Sequence, residues 1–216
     1  MPRWRMVLIW LGVLLGLCAP VIASGFSPLL AWRDPIYIAA GFAGVGGLAL
    51  MFLQPLLASG LLPGISLLHG RKMHRLVGVV LVVAVVVHVA GLWVTSPPDV
   101  IDALLFRSPT PFAVWGVIAM WAVFIAALLA AFRRHLPLRL PTWRRAHTLC
   151  VAIAVAGTVV HAALIEGTME TMSKTAICLL TVWATSHAVF VLRSWAPRSH
   201  KRTARSAVTT QSELSE

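Results

Sequence analysis

MHRLVGVVLVVAVVVH, residues Met73 to His88, and WRRAHTLCVAIAVAGTVVH, residues Trp143 to His161, are the two stretches on which the reading of this chain turns. Each is an apolar run that ends on a histidine, and each carries another histidine, His74 or His147, fourteen positions earlier. On an α-helix fourteen residues make nearly four turns, about 21 Å of rise, and leave the two rings within roughly 40° of one face. The pattern predicts two helices that each present imidazoles at two depths.

Composition says what surrounds them. Of 216 residues, 59% are apolar and 12% charged, with a mean hydropathy of +0.86. Soluble domains hold about 45–50% apolar and about 25% charged residues, so the departure points to long membrane spans. Six apolar stretches approach the roughly 20 residues that cross a hydrocarbon core. They run from Met6 to Ile22, Pro35 to Leu57, His74 to Val94, Phe112 to Phe132, Arg145 to Ile165 and Thr175 to Trp195. Lipid leaves no partner for an open strand edge, so the spans are expected to be helices and the fold an all-α six-helix membrane bundle over residues 1–196. Ser59-Gly60, Pro63-Gly64, Ser96-Pro97-Pro98, Ser108-Pro109-Thr110-Pro111 and Leu136-Pro137 punctuate the linkers. The outer loop from Thr95 to Pro111 reads as solvated, and the polar tail over residues 197–216 as disordered.

A net charge of +11 would suit nucleic acid, but its placement argues for topology instead. Fifteen of the eighteen Lys and Arg fall at the N-terminus, in alternate loops and in the tail, leaving Arg33, Arg107 and Lys174 on the other side. The positive-inside rule then puts both termini in the cytoplasm. Residues Pro2 to Ser24 have some features of a secretory signal, but their apolar run of about 17 residues favours retention as a first helix. Cys18, Cys150 and Cys178 lie within spans and form no CxxC, which fits packing residues.

With this topology the third and fifth spans run the same way, so His74 lies level with His147 and His88 with His161. His74 sits between Lys72 and Arg75, at the expected start of its helix, and is the most exposed to an interfacial reading. Facing imidazoles at two depths suit two haems, each held by two histidines. His187 has no partner at this spacing and reads as a packing or propionate-bonding residue, while His69, His135 and His200 lie in loops or the tail.

The two quoted stretches resemble those of the ferric reductase-like transmembrane domain. That domain is shared by ferric-chelate reductases, NADPH oxidases and the membrane haem subunit of bacterial methionine sulfoxide reductase systems. The resemblance covers about Gly41 to Ile165. It implies two b-type haems, with His74 and His147 as axial iron ligands on the cytoplasmic side and His88 and His161 on the outer side. It implies further a multi-pass protein of a bacterial-type plasma (inner) membrane that passes electrons to a periplasmic acceptor. No GxGxxG loop occurs, so the expected donor is separate: a cytoplasmic flavin reductase, with FMN as its carrier, or the quinol pool. The alternative reading is a haem-binding anchor subunit of a quinol-linked or methionine sulfoxide reductase-type complex. A divalent-metal transporter would want carboxylates beside its histidines, and the spans supply none.

Overall fold

The computed structural model describes residues 2–191. Among them the chain forms α1 (Arg3–Gly25), α2 (Pro35–Ser59), α3 (Leu67–Thr95), α4 (Pro97–Leu104), α5 (Pro111–Ala131), α6 (Leu140–Leu164) and α7 (Thr171–Ser186). The last continues into a π-helical stretch, His187–Val191. No strand occurs among the described residues. Six of the helices, all but α4, are long and apolar enough to cross a membrane. The chain is an all-helical, multi-pass membrane protein. The end of the expected sixth span and the tail over 197–216 lie outside the described residues.

Local chemistry sets the helix boundaries. Asp34 caps α2, its Oδ1 accepting from the N–H of Ile36 at 2.7 Å and of Tyr37 at 3.4 Å, with Pro35 in the first turn. Gly60 ends that helix in the left-handed region, at φ 77°. Ser66 caps α3 through the N–H of His69 at 3.3 Å, so α3 starts at Leu67 and not at His74. His74 therefore sits about two turns inside the helix. In the same way α6 starts at Leu140, with Pro141 in its first turn, and Trp143, Arg144 and Arg145 are helical. The loop expected over Thr95 to Pro111 contains α4: Pro97 and Pro98 open a short helix here instead of merely breaking one.

The bundle is organised around two antiparallel hairpins, α2 with α3 and α5 with α6, while α1 and α7 pack against α2. The histidine-bearing helices α3 and α6 scarcely touch each other. Only Gly70 and Leu81 of α3 are buried, and Val79, Val83, Val86 and Val87 lie exposed, as suits a helix solvated by lipid. One apolar cluster joins α1, α2 and α7 through Val13, Phe52, Leu57, Ile177 and Ala184. A second crosses the gap between the hairpins through Met51, Leu81, Ala122, Val123, Ala154 and Val155. Leu81 lies midway in sequence between His74 and His88, and Ala154 midway between His147 and His161. The second cluster is thus an apolar layer between two histidine levels.

Candidate functional site

The four histidines share one local arrangement. Each sits on α3 or α6, and each directs Nδ1 at a backbone carbonyl of the other helix in its own hairpin. His74 pairs with Gln54 at 3.2 Å and His88 with Ala40 at 2.7 Å, both on α2. His147 pairs with Ala126 at 3.2 Å and His161 with Phe112 at 2.9 Å, both on α5. A carbonyl only accepts, so at His88, His147 and His161 Nδ1 carries the proton and donates. Nε2 is left as a lone-pair donor, the tautomer that a metal ligand needs, and the bond to the carbonyl also fixes the ring's orientation.

The accepting carbonyls repeat the histidine spacing, Ala40 and Gln54 being fourteen residues apart, as are Phe112 and Ala126. The two hairpins are therefore structural repeats of one another, although beyond the histidines their side chains share little. One further feature does recur. Four residues after each outer acceptor stands a glycine, Gly44 or Gly116. A Cβ there would lie 2.9 Å from Nδ1 of His88 or 2.7 Å from Nδ1 of His161. The missing side chain is what lets each imidazole reach its carbonyl.

At the first level, His74 and His147 face one another across the gap between α3 and α6, ring centroids 6.5 Å apart. Two metal–nitrogen bonds of about 2 Å, plus roughly 1 Å from each nitrogen to its ring centre, would put a coaxial imidazole pair about 6 Å apart. The observed spacing leaves room for one metal ion between them. Trp143 stacks on His147 at 5.3 Å and 11°, and its Nε1 donates to the carbonyl of Leu129 at 2.7 Å. Arg133 covers the indole at 5.0 Å. The stack fixes the plane of His147. On the other side, the Gln54 side-chain amide, turned to satisfy its neighbours, donates to the His74 carbonyl at 3.1 Å and to His74 Nδ1 and accepts from the Gly78 N–H at 2.8 Å, so at His74 Nδ1 meets both a carbonyl and an amide donor.

At the second level, His88 and His161 open on one cavity of about 450 Å³ between the hairpins. This lies in the range of about 300–1,000 Å³ usual for cofactor sites. Its inner walls are apolar, with Val85, Met120 and Val123 among them, and hydroxyls line the end nearest α4. Phe112 meets the His161 ring edge-on at 5.8 Å.

Among the described residues no group of three or more His, Cys, Asp and Glu is placed to hold a metal ion. A bare ion wants about four protein ligands, so a pair of imidazoles suits one whose other positions are filled by a macrocycle. Cys150 is free and half-buried. The Nδ1 of His187, at the start of the π-helical stretch, is buried without a hydrogen-bond partner among the described residues, and the ring lies 5.6 Å from that of Trp183. Sequence reasoning passed over Gln54, Gly44 and Gly116. Gln54 is a polar side chain inside a span, a signal that was open to view, as was the near-equal separation of the two glycines and of the two histidine pairs.

The fold and site define a helical membrane bundle that brings His74 beside His147 and lines one cavity with His88 and His161. The family model described as ferric reductase like transmembrane component matches residues 40–158, more than half of the chain, and the chain belongs to that family. No curated protein and no solved structure matches it significantly. Family membership points to electron transfer across the membrane.

Proposed function

We propose that this chain is a di-haem b electron carrier of the membrane, with His74 and His147 as axial ligands of one haem and His88 and His161 as those of the other. The observation that carries the reading is the repeated pairing of Nδ1 with a helix carbonyl at all four histidines, which at His88, His147 and His161 makes Nδ1 the donor and frees Nε2. Haem, when bound, supplies one-electron chemistry at its iron. The chain supplies the rest. The carbonyls hold the imidazoles in one tautomer, Trp143 and Phe112 restrict two of the rings, and the apolar walls disfavour extra charge at the metal. The layer containing Leu81 and Ala154 sets apolar side chains between the two levels.

The orientation with both termini in the cytoplasm follows from the basic residues. It puts the His74 level inside and the His88 level outside, in a bacterial-type inner membrane. Electrons then enter from a separate cytoplasmic flavin reductase carrying FMN, or from quinol, and leave to a periplasmic acceptor. The test is a haem count and a reduced spectrum on the purified protein. The expected result is about two six-coordinate b-type haems per chain, falling to about one when His88 or His161 is replaced by alanine, as the two levels require. A colourless protein, or loss of both haems from either single variant, refutes the assignment.

A further inference from the structure

The cavity at the His88 level runs out to the loops beside α4, and its mouth carries an unusual cation. Lys174 is the one Lys or Arg among the lining residues. Its Nζ donates to the carbonyl of Ile165 at 2.9 Å. An ammonium has three N–H donors, so this bond leaves two. Among the described residues no carboxylate pairs with Lys174. Glu170, one turn away, spends Oε1 on the N–H of Ser173 at 3.1 Å as the cap of α7. Asp99, the one carboxylate lining the cavity, accepts from Ser96 at 2.5 Å and is exposed on the α4 side. Lys174 also stands in the first turn of α7, where the helix dipole disfavours a cation. A half-buried ammonium with free donors, at the positive end of a helix and beside an apolar cavity, is a site for an anion.

We infer that Lys174 forms a carboxylate-binding site at the mouth of the outer cavity. Two sources supply that chemistry: a propionate of a haem held by His88 and His161, or a carboxylate of an acceptor that enters from outside, such as a ferric carboxylate chelate. The first source rests on the haem reading above.

The experiment compares the unsubstituted protein with Lys174→Met and Lys174→Arg in detergent, by potentiometric titration of the haems and by the rate at which Fe(III)–citrate reoxidises the reduced protein. A cationic, carboxylate-free ruthenium complex serves as the control oxidant. If a propionate is the ligand, Lys174→Met lowers the midpoint of one haem and leaves the other, by up to the one-electron equivalent of about a tenfold change, about 59 mV, and Lys174→Arg restores it. If an incoming carboxylate is the ligand, midpoints hold but oxidation by Fe(III)–citrate slows about tenfold while the ruthenium rate does not. Unchanged midpoints together with an unchanged Fe(III)–citrate rate overturn the inference with the haem reading intact. A haem-free unsubstituted protein overturns the haem reading itself.

Discussion

Gly116→Ala tests the site where a glycine makes room for the His161 ring. The new Cβ would lie 2.7 Å from Nδ1 and 3.0 Å from Cε1 of His161, where ordinary contact begins at 3.4 Å, so the ring must retreat by about 0.7 Å. That displacement acts directly on the 2.9 Å bond from Nδ1 to the Phe112 carbonyl. A buried donor left without a partner costs about 1–3 kcal/mol, and loss of such an outer-shell bond to a metal-ligating histidine typically costs 10–100-fold in metal affinity. The expected outcome is one haem weakened by that factor and the other retained, read as a fall from about two haems per chain toward one in a haemochrome assay. Gly44→Ala, with its Cβ 2.9 Å from Nδ1 of His88, should reproduce the effect from the opposite hairpin. Gly46→Ala is the control: nothing lies within 4 Å of its Cβ, so haem content should stay at the unsubstituted level. Full occupancy with an unaltered spectrum in both Gly44→Ala and Gly116→Ala would refute the claim that these glycines admit the imidazoles.

Two further outcomes follow from the same geometry. Gln54→Leu removes the amide that bridges the His74 carbonyl and the Gly78 N–H, and should lower thermal stability by about 1–3 kcal/mol while disturbing the spectrum of one haem only. His187→Leu removes a ring whose buried Nδ1 has no partner among the described residues; it should leave both haems in place and stability equal or higher, and loss of a haem would revise the ligand set.

The spans and the histidine pairs were legible because both are written in side chains: hydropathy over about 20 residues, and a spacing that returns imidazoles to one helix face. The starts of α3 and α6 were placed too late. Arg71 and Lys72 look like loop, yet a Ser66 cap lets a helix run through them, and α6 opens at Leu140 with Pro141 in its first turn, ahead of the expected start at Arg145. The hydrogen bonds that select the tautomer were not legible, because their acceptors are backbone carbonyls and any residue type provides one. Two alanines, a glutamine and a phenylalanine, Ala40, Ala126, Gln54 and Phe112, share no side-chain chemistry that marks them as acceptors. The trace that remains in the sequence is steric, in Gly44 and Gly116, and it gains meaning only once the hairpins are seen to repeat.

The apolar layer around Leu81 and Ala154 has an electrical consequence for the proposed function. If the two levels carry the proposed haems, an electron that passes between them crosses an apolar layer whose buried side chains offer no titratable group to move a proton with it. The rise between the levels is about 21 Å of a core about 30 Å thick, so each transfer samples roughly two thirds of the transmembrane voltage. A full crossing is worth about 2.3 kcal/mol per 100 mV. In the orientation proposed, a negative interior pushes electrons outward, and every turnover discharges the membrane a little, making the protein a current source whose speed the cell's own potential can set.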